Sequence, residues 1–207
     1  MTLMNRKFTQ IGFAAALLAG WPGSAPVSPE AVVLAGGCYW GVEAVFEHLR
    51  GVTSVTSGFA VPAVDPGTPP GPRGPRHTTY AEAVRILYDP TQISHAQLLE
   101  VFFAVAHDPT LIDRQGPDVG PEYRSAIFVD SAEEARLAGD YVARLESAKV
   151  FPRPIATEIV TLRRFREAAP DQQDFVARHP NDPYVVANDL GKLDALRRRF
   201  PALYRAP

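Results

Sequence analysis

The chain holds a single cysteine, Cys38, inside GGCYWG at residues 36–41. No disulfide can form within the chain, so the thiol is either inert core or chemistry. Ahead of it, Ala31 to Ala35 form an apolar run suited to a buried strand. Behind it, Val42, Val45, Phe46 and Leu49 recur at helical spacing. Cys38 therefore stands where a strand runs into a helix. Unpaired N–H groups at a helix start favour thiolate and predict a pKa drawn below the ~8.5 of a free thiol. Gly36 and Gly37 place no side chain in the way of a substrate, and Tyr39 and Trp40 offer an aromatic wall for an apolar group. These features point to a nucleophile. On residue types alone, a Cys–His hydrolase with His107 or His179 as base stays open, as do plain core roles for Tyr39 and Trp40.

The elements that must position this thiol follow from pattern and punctuation. Val52 to Val61 is β-branched and reads as a strand, after a stop at Gly51. Six prolines and three glycines between 62 and 76 demand an exposed loop. Residues 80–88 alternate as a strand. Ser94 and Gln97 predict a capping box for a helix running to His107, with Leu98, Val101, Phe102 and Val105 inward. Residues 108–123 read as a polar loop and 125–130 as a strand. Ser131 and Glu134 predict a second capping box, with Leu137, Ala138, Tyr141, Val142 and Leu145 as the apolar face. Residues 156–162 read as a strand, followed by mostly polar helical pieces. The order predicts an α+β fold, a two-layer sandwich with a mixed sheet and a ferredoxin-like split βαβ core.

The 207 residues suit one domain, and a formal charge of −2 at pH 7 gives no reason to expect nucleic acid as partner. Arg163, Arg164, Arg166 and Arg197 to Arg199 read as solvated edges rather than phosphate sites. No Cys/His spacing suggests a metal. At the N-terminus, Arg6 and Lys7 precede an apolar stretch of signal-peptide length and a small, proline-rich segment. Residues 1–28 are read as signal peptide and linker, 29–207 as the functional domain. Export to the periplasm or another extracytoplasmic space is expected, with an uncleaved anchor or a cytoplasmic protein as alternatives.

GGCYWG resembles the GCFWG motif of the A-type peptide-methionine sulfoxide reductases. Two further stretches match that family in order: YAEAVRILYDP resembles its GHAEVV…YDP segment, and DPTLIDRQGPDVGPEYRS its DPT…RQG.D.G.QYRS segment. The tail, with HPNDPY, is similar as well, so the likeness runs from about 31 to 203. The resemblance implies reduction of the S epimer of methionine sulfoxide, free or in peptides. Cys38 would attack the sulfoxide sulfur and become sulfenic acid. Glu82 would protonate the oxygen, which requires burial to raise its pKa. Asp118 and Tyr123 would organise the site, and Tyr39 and Trp40 would hold the S-methyl group.

Two departures matter. Many relatives carry further cysteines that resolve the sulfenic acid. This chain has none, so an external thiol, thioredoxin-like or small, must do so, with no other cofactor. Second, prolines occupy the family's NPTY stretch and Phe59 replaces a tyrosine, so one hydroxyl is missing. Tyr80 is a candidate substitute. A monomer is expected. A sulfoxide-binding module that has lost turnover is the non-catalytic alternative.

Overall fold

A computed structural model describes residues 29–64, 74–77 and 79–206. The expected signal segment and most of the proline-rich loop lie outside the described residues. Along the chain run β1 (Glu30–Gly36), α1 (Tyr39–Glu47), β2 (Val52–Pro62), β3 (Ala81–Tyr88) and α2 (His95–Val101). A π-helical turn, Phe102–Ala106, extends α2. Then come the two-residue strands β4 (Arg114–Gln115) and β5 (Asp118–Val119), a 3-10 turn (Pro121–Tyr123), β6 (Ser125–Val129), α3 (Ala132–Ser147) and β7 (Glu158–Glu167). The short helices α4 (Phe175–Arg178) and α5 (Pro183–Asn188) and the longer α6 (Leu190–Arg199) follow.

The helix starts obey the sequence chemistry. Ser94 caps α2 in a complete capping box with Gln97. Ser131 accepts the Glu134 N–H at 3.1 Å, but the Glu134 carboxylate reaches back to the Asp130 N–H at 2.9 Å, one residue beyond a box partner. On α3 the buried face is Ala138 and Val142, whereas Leu137 is exposed.

The sheet corrects the expected architecture. β1, β3, β2, β7 and β6 hydrogen-bond in that order and close into a barrel, because β1 also pairs with β6. It is neither a two-layer sandwich nor a ferredoxin-like split βαβ core, although it is α+β and mixed. All pairings are antiparallel except β6 with β7, which α3 connects as a crossover. β7 makes the closure. Its first half pairs with β6 through Glu158 to Thr161, and its second half pairs with β2 from Leu162 to Glu167. A bulge between Val61 and Pro62 against Arg164 and Leu162 lets one strand serve both neighbours.

Strand alternation then sorts side chains to two cores. Val33, Ala35, Ala60, Ala81, Ala83, Ala126, Phe128 and Val160, from all five strands, form one buried cluster. Its small members suit the interior of so narrow a barrel. The opposite faces, with Leu34, Val84, Ile86 and Ile127, join Phe46, Leu98, Phe102 and Val142 of the helices in the larger core. That core seats α1, and with it Cys38, on the end of β1.

Candidate active site

Cys38 is the N-cap of α1 and lies between Gly37 and Tyr39 at the exit of β1. Gly37 adopts φ 91°, and a Cβ there would stand 2.4 Å from the Gln115 Cβ. Glycine thus allows both the turn and the close approach of the β4–β5 hairpin. Gln115 pins that hairpin by accepting from the Asp108 N–H at 3.2 Å and donating to the Asp108 carbonyl at 3.1 Å. The hairpin carries Asp118, and the turn after it carries Tyr123. Gly41, one turn into α1, leaves room for Asp189 and Lys192, an ion pair at 3.1 Å.

Glu82 arrives from the start of β3. Its Oε2 accepts the Tyr39 N–H, a free donor of the first helical turn, at 3.2 Å. Burial pushes its pKa up to about 7. The Tyr39 N–H pulls the other way, and the Asp118 and Glu122 charges add to the rise. The acid inferred from the motif therefore keeps its proton close to neutral pH.

The thiol departs from the sequence expectation. Burial pushes Cys38 up to about 12, with the Glu82 and Asp189 charges adding to it. The Trp40 N–H and the Tyr184 hydroxyl favour thiolate, as the helix-start argument requires, but desolvation outweighs them. In the resting site the sulfur is a neutral thiol.

Tyr39 is buried edge-to-face on Phe59, with ring centroids 5.9 Å apart. Trp40 is only half-buried. Phe175 stacks on one face at 3.7 Å, Tyr184 meets it edge-on at 5.6 Å, and its Nε1 donates to Gln172 Oε1 at 3.2 Å. Burial raises the Tyr123 hydroxyl to about 12, and the nearby Glu82 and Asp118 charges add to it. Tyr80 stands further out. It is 45% exposed and reaches the group only through Phe59, edge-to-face at 5.1 Å.

Three further side chains join the site, and two of them, Arg124 and Tyr184, stand inside the GPEYRS and HPNDPY stretches. Tyr184 donates a very short hydrogen bond to Asp118 Oδ2 and also lies against the thiol. Asp182 and Pro183 announce the start of α5, and the Asp182 carboxylate accepts the Tyr184 N–H at 2.8 Å. That cap is readable, but the direction of the Tyr184 ring is not. Arg124 is fully buried, and it donates to the Tyr80 and Pro121 carbonyls at 3.0 and 2.7 Å and to Thr79 at 2.9 Å. It thereby ties the lead-in to Glu82 to the turn bearing Tyr123. Glu158, also fully buried, faces the Arg124 guanidinium at 3.3 Å.

Neither histidine serves Cys38. His107 is locked behind Gly36, with Nδ1 on the Phe102 carbonyl at 3.1 Å and Nε2 on Ser125 Oγ at 2.7 Å. Burial pushes it down to about 3, so it is neutral and both nitrogens are engaged. His179 ends α4 and packs its ring on Phe175 at 4.5 Å. Among the described residues no Cys–His pair exists to support a hydrolase.

The gathered set is a half-buried thiol, a protonatable carboxyl and hydroxyls around an aromatic wall, a constellation suited to delivering a proton and a sulfur nucleophile to one polar substrate atom. Comparison with known proteins agrees. Residues 30–202 match the family described as peptide methionine sulfoxide reductase. The chain is 44% identical to peptide methionine sulfoxide reductase MsrA 2 of Mesorhizobium japonicum, over 84% of this chain and 89% of that one. It is 43% identical to the protein of the same description in Synechocystis, over 83% and 79%. Among solved structures it resembles Mxr1 of Saccharomyces cerevisiae in reduced form, with a TM-score of 0.62, 25% identity, and coverage of 76% of this chain and 89% of that one. With matches that span nearly the whole barrel and every element bearing the thiol and the carboxyl, this chain belongs to the peptide methionine sulfoxide reductase family.

Proposed function

We infer that the protein reduces the S epimer of methionine sulfoxide, free or in peptides, with Cys38 as nucleophile and Glu82 as acid. The observation that carries the reading is Glu82, held on the Tyr39 N–H and raised to about 7 beside the only thiol of the chain. A sulfoxide sulfur becomes electrophilic when its oxygen takes a proton. Glu82 gives its proton to that oxygen, Cys38 attacks the sulfur, and the thiol proton passes to Glu82. The charge of ionised Glu82 raises the thiol, so a protonated Glu82 also eases ionisation of Cys38. In balance, Cys–SH and the sulfoxide become Cys–SOH and the thioether. Oxygen moves to the cysteine sulfur, and two electrons move to the methionine.

Tyr123 and Tyr184 line the approach to the oxygen, and Tyr39 and the open face of Trp40 take the methyl group. The sulfenic acid is then reduced by two external thiols, giving Cys–SH, a disulfide of the reductant and water. A thioredoxin-like dithiol or a small thiol serves, since the chain carries no second cysteine. The charge and apolar pattern of residues 1–28 supports export, and an exported enzyme needs that donor outside the cytoplasm. Fractionation of cells expressing the full chain tests this, and recovery in the cytosol alone would contradict it.

The decisive assay incubates reduced protein with the S epimer. One methionine per chain without reductant, continuous turnover with dithiothreitol, and no reaction of the R epimer are expected. No methionine under either condition would overturn the reading. Binding without a first turnover would select the non-catalytic module instead.

A further inference from the structure

Glu43 and Glu47, one turn apart on α1, meet Asp174 at the start of α4. Carboxylate oxygens from the three lie within 4.8 Å of one another. Glu43 is 1% exposed, yet neither of its oxygens has a hydrogen-bond partner. The buried Ser57 hydroxyl, next to Glu43 on β2, has none either. The Ser57 N–H is taken by Gln173 Oε1 at 2.8 Å. Buried carboxylates are ordinarily paired or bound to a cation. Here the buried Glu43 carboxylate, with Ser57 beside it, stands at an acidic cluster without a well-formed hydrogen bond of its own.

We propose that Glu43, Glu47 and Asp174 form a binding site for a hard divalent cation of calcium size. All donors are oxygens, which excludes soft metals as the natural occupant. Magnesium sheds its water reluctantly and is usually held by only one or two carboxylates, whereas calcium takes several protein oxygens in flexible geometry, so three converging carboxylates favour calcium. Asp174 is exposed and gives the ion an entry, while its left-handed backbone, φ 51°, sets the carboxylate at the head of α4. Arg205 is the cation acting on Glu47. Its guanidinium is directed to the Glu47 and Val52 carbonyls at 2.7 and 3.4 Å, leaving the carboxylates in excess. The competing occupant is protons, since burial raises Glu43 to about 7 and Glu47 to about 8. A bound ion would tie α1 to α4, and Phe175, the residue after Asp174, stacks on Trp40. That coupling to the substrate wall rests on the reductase reading, whereas the ion site does not.

The test uses the full chain, stripped with chelator, titrated calorimetrically with calcium chloride and, separately, magnesium chloride. One calcium per chain is expected, with magnesium at least tenfold weaker, and calcium should raise the melting temperature. Glu47→Gln and Asp174→Asn should each weaken calcium at least tenfold while still melting cooperatively. In the double variant the calcium-induced rise in melting temperature should vanish, which keeps the test informative even if Glu43→Gln does not fold. No heat and no melting shift at millimolar calcium, or undiminished affinity in the double variant, would overturn the site. Equal affinity for magnesium would overturn its assignment to calcium. None of these readouts depends on reductase activity, so failure here leaves the reductase reading standing, and the reverse holds too.

Discussion

Two carboxyls end up inside this fold at the starts of strands, and their surroundings could hardly differ more. Glu158, at the head of β7, is fully buried between two guanidinium groups, Arg124 and Arg76, both at 3.3 Å. It also accepts the Arg76 N–H at 3.1 Å. Glu82, near the head of β3, has no cation beside it among the described residues. It receives the single Tyr39 N–H and sits among the like charges of Asp118 and Glu122. One environment provides full compensation and fixes backbone. The other leaves a proton loosely held at about 7. The difference separates a carboxylate that builds the site from a carboxyl that works in it.

Exchanging charge for amide at each position should split the two roles. Glu82→Gln keeps the shape but cannot give a proton, and the first-turnover rate should fall by ~10²–10⁴. Its stability should move the other way. Because the folded pKa of Glu82 lies above the ordinary 4.5, its favourable contribution is complete below that value and is lost as pH rises through about 7. The variant escapes that loss, so it should gain on wild type between pH 5 and 8 in denaturant melts. Glu158→Gln should do the reverse. It strands the buried Arg124 and should cost ~3–5 kcal/mol by the same melts, with whatever folds keeping an ionisable Glu82. A large stability loss in Glu82→Gln would break the comparison.

Smaller effects sharpen it. Tyr184→Phe removes the hydroxyl shared by Asp118 and the thiol, and should slow the first turnover by about tenfold, the worth of ~1.5 kcal/mol for a hydrogen bond to a charged group. Stopped-flow tryptophan emission measures it. Tyr80→Phe should change that rate less than about twofold, since the Tyr80 ring is 45% exposed and meets the group edge-to-face at Phe59. A loss as large as that of Tyr184→Phe would make Tyr80 the substitute for the missing family hydroxyl.

The same contrast explains what the sequence could reveal. Local chemistry is readable: the strand-to-helix step at Cys38 and the caps at Ser94 and Ser131. Glu82 was legible only through its motif, for an isolated acid on a strand ordinarily faces solvent. Barrel closure was hidden because the closing half of β7 is LRRFRE, whose arginines are exposed. Its apolar residues, Leu162 and Phe165, stand three apart across a bulge, so the period-two signal of a strand is broken there. The thiol was misjudged for a related reason. Helix-start charge is a local property that sequence shows, whereas burial of Cys38 depends on α5 and the β4–β5 hairpin, which come from far along the chain. Tyr184 and Arg124 act across the same distances.

Glu82 must carry its proton when Cys38 attacks. The pH dependence of the first-turnover rate with saturating S-epimer substrate and no reductant tests it directly. The rate should fall as pH rises past about 7, where Glu82 loses its proton, and the low rate of a Glu82→Gln variant should lack that fall. A wild-type rate that instead climbs through pH 7 and then levels would mean that Glu82 works as a carboxylate, and would contradict the account.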